Sequence, residues 1–258
     1  MTSTPNSDSI NPKSIYFASD FHLGLDLQES SADREKRIVK WLSEIIDKTE
    51  ELYLLGDLFD YWFEYKSVVP RAHLRFLAKL TEFTDRGIPV HVFTGNHDMW
   101  MFDYLATEVG ATIHRDPIIK EFYGKTFFLG HGDGLGPGDH GYKFIKKVFR
   151  SKINQWLFAR LHPNLAIWLM RRFSTTSREA QTEENQFLGA DKEWLVLYCE
   201  KKIQQENIDY FIFGHRHLPI DHVLSNGQSR YINSGDWMRH NTYVECHGSE
   251  VELKTYSS

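Results

Sequence analysis

The stretch VHVFTGNHD, Val90 to Asp98, decides the fold. An apolar, β-branched and aromatic run reads as a short buried strand. It ends at a glycine, and three ligand-type side chains follow: Asn96, His97 and Asp98. Working outward, the same plan recurs four times. IYFASDFH (Ile15–His22) delivers Asp20 and His22, and LYLLGD (Leu52–Asp57) delivers Asp57. TFFLGHGD (Thr126–Asp133) delivers His131, and YFIFGHRH (Tyr210–His217) delivers His215 and His217. Asp20, His22, Asp57, Asn96, His131, His215 and His217 make seven O/N donors. With one carboxylate shared, they could hold two divalent metals. Two such ions about 3.5–4 Å apart are a standard device for in-line displacement at phosphorus.

The spacing supports this chemistry. Asp20 and His22 lie two apart just beyond a strand, and on an extended backbone positions i and i+2 point the same way. The same holds for His215 and His217. Asp57 follows Gly56, whose freedom lets a turn bring the carboxylate close to the ions. Its two oxygens make it the natural bridge. Asn96 offers an amide oxygen and His131 an imidazole. Mixed N/O ligation without thiolate fits Mn, Fe or Zn, and fits Mg less well. A lone Asp-x-His is weak evidence, since such residues commonly cap helices or sit in solvated turns. Five clusters in order, each after an apolar strand, are poorly explained by chance. His73, His91, His114, His162, His222 and His247 lack that context and are expected at surface or core positions.

Between the strands the periodicity predicts helices over 32–48, 73–83, 105–109 and 193–206. A hairpin turn is expected at Phe122–Phe127 and another at Asn226-Gly227, followed by strands around Tyr231 and Tyr243. Alternating strands and helices, then hairpins, predict an α/β fold of two sheets flanked by helices. Residues 139–188 break the alternation and read as an inserted helical cap, within one domain over 14–258. The Ser/Thr/Asn/Pro-rich residues 1–13 are expected to be a disordered tail.

The insertion has its own pattern. From His140 to Arg178 there is no Asp or Glu, while nine Lys and Arg occur. Phe144, Ile145, Val148, Phe149, Ile153, Trp156, Leu157 and Leu161 form one helical stripe, broken at His162-Pro163. A basic amphipathic helix with aromatics reads as a membrane-surface element. The plainer alternative is a helical hairpin packing that stripe on the domain. Beside a phosphoesterase site, helices over 142–173 are expected to cover the site and take up acyl chains.

The bulk numbers narrow the classes. At 258 residues, 41% hydrophobic and 25% charged, the chain is globular. No apolar run reaches the roughly 18–20 residues of a membrane span. The start of the chain has no apolar h-region of a secretory signal. Only Cys199 and Cys246 occur, which points to a reducing compartment without a disulfide framework. A net charge of −5 argues against a nucleic-acid partner.

Taken in order, D-x-H, GD, GNHD, GH and GH-x-H resemble the calcineurin-like metallophosphoesterase superfamily over Ile15 to Trp237. The resemblance implies a four-layer α/β/β/α sandwich. It implies Asp20, His22, Asp57 and His217 at one metal, and Asp57, Asn96, His131 and His215 at the other. It also implies His97 near the leaving-group oxygen, held by Asp98. LYLLGDLFDYW (Leu52–Trp62), HGDGLGPGDHGYKF (His131–Phe144) and STTSREA (Ser174–Ala180) are similar to one branch, the UDP-2,3-diacylglucosamine pyrophosphatases of lipid A biosynthesis. That branch implies a UDP-sugar lipid split to UMP and 2,3-diacylglucosamine 1-phosphate, usually with Mn. It implies cytoplasmic work, peripherally on the inner membrane. Its substrate-binding candidates are Asn96, His97, Asp139, Tyr142, Ser177, Arg178, Gln181 and His215. This chain departs from well-known members by GNHD for GNRD, GHRH for GHTH, and Gln181 and Glu184 where Asn and Lys are common. The residues also allow a metallophosphoesterase for another nucleotide or lipid phosphate, or a non-catalytic membrane-surface binding protein.

Overall fold

A computed structural model describes residues 13–136, 140–180, 186–187 and 189–257. Residues 1–12 of the tail expected over 1–13, together with Asp139, Gln181 and Glu184, lie outside the described residues.

The elements follow the hydrophobic periods. The chain opens with β1 (Ser14–Ala18), α1 (Ser31–Ile45), β2 (Thr49–Leu54), α2 (Leu74–Asp85) and β3 (Val90–Phe93). Next come α3 (Tyr104–Thr107), β4 (Thr112–His114), β5 (Ile118–Phe122) and β6 (Lys125–Leu129). The insertion holds α4 (His140–Arg150), α5 (Lys152–Phe158) and α6 (Pro163–Ala180). The chain closes with α7 (Trp194–Ile203), β7 (Tyr210–Phe213), β8 (Pro219–Val223), β9 (Arg230–Ser234), β10 (Thr242–His247) and β11 (Glu250–Thr255). Helix α1 starts where Ser30 accepts a hydrogen bond from the Asp33 N–H, an N-cap that satisfies one free donor. Its continuation, expected as helix to residue 48, tightens into a 3-10 turn over Ile46–Lys48.

Two sheets result, ordered β11-β10-β1-β2-β3-β4 and β5-β6-β7-β9-β8. Three buried layers separate the elements. One packs Ile38, Trp41, Leu42, Phe76 and Leu80 of α1 and α2 on the outer face of the first sheet. A second, with Phe17, Tyr53, Phe93, Phe127, Leu129 and Ile212, fills the space between the sheets. The third seats Leu195, Val196 and Cys199 of α7 on the second sheet. This is an α/β/β/α sandwich. Strands β1, β2 and β3 are mutually parallel neighbours, as are β6 and β7. Their C-terminal ends can therefore meet along one rim, the usual place for a site in such sheets.

One strand was not anticipated, and one sequence expectation needs correction. The short β4 adds an edge strand that three residues could not announce by period. The single helix expected through Leu161 is two, α4 and α5, broken at Ser151. The Val148 carbonyl accepts from Asn154 Nδ2 at 2.8 Å. The Phe149 carbonyl accepts from Trp100 Nε1 at 2.9 Å and Gln155 Nε2 at 3.0 Å. Carbonyls taken by side chains no longer need the next helical turn.

The insertion also splits its apolar stripe. Phe149, Phe158, Ile167 and Met170 pack on Tyr61, Phe63 and Trp100 of the domain. Ile153, Leu157 and Leu165 stay exposed, as do Trp156 and Trp168 at 57% and 56%. No helix among the described residues is long and apolar enough to cross a membrane. Cys199 and Cys246 are buried free thiols.

Candidate metal centre

The five strand ends converge. Asp20 and His22 follow β1, Asp57 follows β2, Asn96 follows β3, His131 follows β6, and His215 and His217 follow β7. The convergence depends on unusual backbone. Asp20, His22, Asp57, His215 and His217 all have positive φ, from 44° to 70°. The expected extended i, i+2 geometry is thereby replaced by left-handed residues. Asp and His tolerate this region better than most side chains, at some strain. Strain gathered in five of the seven candidates marks a functional turn set rather than ordinary strand ends.

Close packing holds these turns in place. Gly56 sits under His131, where an added Cβ would lie 2.7 Å from Nδ1. Gly95 and Gly214 press on Asp57 and Asp20, leaving no room for any side chain. Buried Arg34 donates to the carbonyls of Phe21 and His22, each at 2.9 Å, and so anchors the first loop from α1. Arg216 is bound by Glu193 through both carboxylate oxygens, at 2.9 and 3.1 Å, tying the GHRH turn to the start of α7.

Asp57 stands between two groups of donors, Asp20–His22–Asp57–His217 and Asp57–His131–His215. In the first, His217 Nε2 lies 3.1 Å from Asp20 Oδ1 and 3.2 Å from His22 Nε2. His22 Nε2 is 3.8 Å from both Asp20 and Asp57 oxygens. In the second, His131 Nε2 lies 3.3 Å from Asp57 Oδ2. Asn96 Oδ1 is 3.1 Å from His131 Nε2 and 2.8 Å from His215 Nδ1. His131 Nδ1 is 2.8 Å from the Leu55 carbonyl, which leaves Nε2 free to point inward.

These residues fit divalent cations. His22 Nδ1, and Asp20 Oδ1 despite His217 Nε2 at 3.1 Å, are buried without a well-formed hydrogen bond, and buried polar atoms are rarely left so. In the bare protein, protons fill part of the role. Burial alone would lower His22 and His131, but the surrounding Asp20, Asp57 and Asp60 carboxylates lift His22 to about 10, and Asp57 lifts His131 to about 10. Burial and the His131 charge push His215 down to about 4. Burial would raise Asp20 and Asp57, yet the neighbouring imidazoles hold both well below the carboxylate range.

The comparisons decide the family. Residues 13–219 match the calcineurin-like phosphoesterases. The chain belongs to that family. A protein of Porphyromonas gingivalis named UDP-2,3-diacylglucosamine hydrolase is 36% identical to this phosphoesterase over 254 residues, 93% of this chain and 97% of its own. Proteins of the same name from Aeromonas hydrophila and Escherichia coli are 27% and 26% identical, over 95% and 92% of this chain and 99% and 96% of theirs. An archaeal phosphodiesterase structure overlays with a TM-score of 0.48 at 14% identity, covering 94% of this chain and 99% of that one. The phosphoesterase is a metal-dependent hydrolase, and its donor clusters suit the divalent ions such enzymes use.

Asp98, expected to hold His97, sits against backbone N–H groups. Its carboxylate accepts N–H bonds from Gly95 and Leu58 at 2.8 Å and Phe59 at 3.3 Å. Both oxygens thus lock the GNHD loop to the loop after β2. Burial, with the Asp57 charge nearby, raises Asp98 to about 7. The Asp60 carboxylate lies 3.7 Å from His97 Nδ1, and the Asp60 carbonyl is 3.3 Å from the same nitrogen. Sequence reasoning passed over Asp60, as it did buried Asp133 and Asp236; only the position of Asp60, three residues beyond Asp57, could have flagged it. Tyr142 lies on α4, and Ser177 and Arg178 lie on α6; their side chains, like Asp139 and Gln181, fall outside what is described.

Proposed function

We propose that this phosphoesterase hydrolyses the pyrophosphate of UDP-2,3-diacylglucosamine to UMP and 2,3-diacylglucosamine 1-phosphate, with two Mn ions held by the seven residues. The observation that carries the reading is the sharing of Asp57 between two donor groups that, with Asn96, draw on five strand ends. Asp20, His22, Asp57 and His217 would hold one ion; Asp57, Asn96, His131 and His215 would hold the other. Paired divalent ions neutralise phosphate oxygens and supply a nucleophilic water at neutral pH.

The chain's own residues do the rest. The His97 N–H donates to Asp57 Oδ1 at 2.9 Å, so the GNHD loop keeps the bridging carboxylate oriented. Asp98 fixes that loop through its three backbone bonds. With Nδ1 turned to Asp60, the His97 ring would offer Nε2 at the substrate position. There it can hold a proton for the departing phosphate oxygen or bind a phosphate oxygen directly.

The insertion serves the lipid end of the substrate. Asp139, Tyr142, Ser177, Arg178 and Gln181 would line the sugar side, with Asn96, His97 and His215 from the core. The exposed face of Ile153, Trp156, Leu157, Leu165 and Trp168 would rest on the cytoplasmic surface of the inner membrane. Arg160 over the Trp156 ring at 4.7 Å suits an anionic headgroup layer.

The test is direct. Purified chain with Mn is incubated with UDP-2,3-diacylglucosamine in detergent micelles. UMP release that stops on chelation supports the reading. No UMP, with brisk cleavage of a soluble nucleotide diester, would reassign the substrate.

A further inference from the structure

The geometry points to the cavity beside His131 as the seat of the substrate's nucleoside end; the assignment deepens the function proposed above and rests on it. The cavity lies where the ends of β3, β4 and β6 meet α4. Among the described residues its walls include Thr94 after β3, His114, Arg115 and Asp116 at the end of β4, Asp133 after β6 and Lys146 of α4. His131 belongs to the same wall, so the space adjoins a donor of the metal centre. It holds about 440 Å³, counting its open mouth.

The lining is polar and its charges are matched. Gly132 and Gly134 take positive φ, 114° and 70°, and Asp133 between them is buried. Lys146 Nζ binds the Asp133 carboxylate. Arg150, about one turn further along α4, binds Asp116 at 2.9 Å. Arg115 donates to the carbonyls of Met101 and Phe102, at 3.1 and 2.9 Å. Each of these two carboxylates is thus paired with a cation. Such a wall suits a neutral group rich in hydroxyls and amides, which needs hydrogen-bond partners when it leaves water. It offers little to an acyl chain, which gains by meeting apolar surface. Carboxylates bind ribose hydroxyls in dinucleotide-binding folds. Phe93 and His114, stacked with centroids 4.7 Å apart, add an aromatic side.

The two ends of the substrate thereby part at the metal centre. On one side His97 lies against Asp60, next in sequence to Tyr61, and Tyr61, Phe63 and Trp100 seat Phe149, Phe158, Ile167 and Met170 of the insertion. On the other side His131 adjoins the polar cavity. Helix α4 reaches both, with Lys146 on the cavity and Phe149, three residues on, against Trp100. A pyrophosphate at the centre, with its lipid under the insertion, leaves its uridine ester for the His131 side.

Photoreactive 4-thio-UMP tests the placement. Irradiated with the Mn-loaded wild type, it should crosslink to peptides holding Arg115 and Asp116 or Lys146. Lys146→Met and Asp116→Asn, which nearly keep side-chain size, should each raise the Kd of UMP about tenfold in calorimetry, the scale of one hydrogen bond to a charged group. Inorganic phosphate should bind both variants as it binds the wild type. KM for UDP-2,3-diacylglucosamine should rise with the UMP Kd, while bis-nitrophenyl phosphate, which has no nucleoside, should keep its KM. The crosslink is read on the wild type, so it decides even where a variant folds poorly. Crosslinks confined to other segments, or equal weakening of UMP and phosphate, would overturn the assignment. UMP release from the lipid substrate without a crosslink in this cavity would keep the substrate and overturn the site. A crosslink here in a chain that leaves the lipid substrate uncut would uphold the nucleoside site and refute the proposed substrate.

Discussion

At His97 the structure separates two jobs that one residue carries. Its N–H holds Asp57 Oδ1, and its ring stands beside Asp60 and edge to face with His22. His97→Ala keeps the backbone bond and removes only the ring. The variant should retain both ions and lose roughly 10²–10⁴-fold in turnover of a poor leaving group, the usual share of a general acid. With a nitrophenolate leaving group, which needs no proton, the loss should shrink. Rates measured on both substrates decide: equal losses would make the ring a phosphate-binding group instead. At this scale the ligand types were legible in the sequence, because Asp, Asn and His after apolar strands have few other reasons to recur. Their left-handed backbone was not. Asp and His in that region are signalled by no neighbour, and Gly95 and Gly214 press on Asp57 and Asp20 from loops distant in sequence.

At the scale of elements, α4, α5 and α6 explain how one apolar stripe serves two surfaces. Phe149 lies against Trp100, centroids 4.9 Å apart, while Trp156 faces outward. Phe149→Asp should therefore unseat the insertion and cost about 2 kcal/mol or more, by burying an unpaired charge. It should slow lipid and soluble substrates alike. Trp156→Asp should leave stability within about 0.5 kcal/mol, as surface changes do. It should instead weaken sedimentation with anionic vesicles and slow only the lipid substrate. Urea midpoints, vesicle sedimentation and the two rates together separate these outcomes. The stripe itself was legible; its division was not, because the period runs unbroken through Ser151 and the break comes from carbonyls taken by the distant Trp100 and the local Asn154 and Gln155.

The edge of the first sheet carries a pH response of its own. His114 on β4 lies 3.0 Å from His91 on β3, which stacks on Tyr53 and reaches Glu51 at 3.3 Å. Burial, then the His91 and Lys120 charges, lowers His114 to about 4 from 6.5. The unfolded chain thus binds a proton between pH 6.5 and 4 that the folded chain refuses. Stability from this group is present above pH 6.5 and is lost progressively as pH falls toward 4. His114→Gln should lose less stability than the wild type between pH 7 and 4.5. Parallel denaturant titrations of the two proteins at those values measure the difference, and an identical loss would show that the cluster does not titrate as described.

For the whole molecule, topology is what turns scattered motifs into a site. Parallel neighbours β1, β2 and β3 end together, and β6 and β7 end opposite them across the inter-sheet core. The layer order followed from alternating strands and helices, so most of the architecture could be read from hydrophobic period alone. Asp60 could not, since His22 and His97 lie 38 and 37 residues away along the chain. The central claim is that these strand ends make one dinuclear centre bridged by Asp57. Electron paramagnetic resonance of the Mn-loaded chain, with metal content measured on the same sample, tests it most directly. The account predicts two Mn per chain with an exchange-coupled signal, as expected for ions about 3.5–4 Å apart, and its loss in Asp57→Ala. A single ion per chain, two uncoupled ions, or a coupled pair surviving in Asp57→Ala would contradict it.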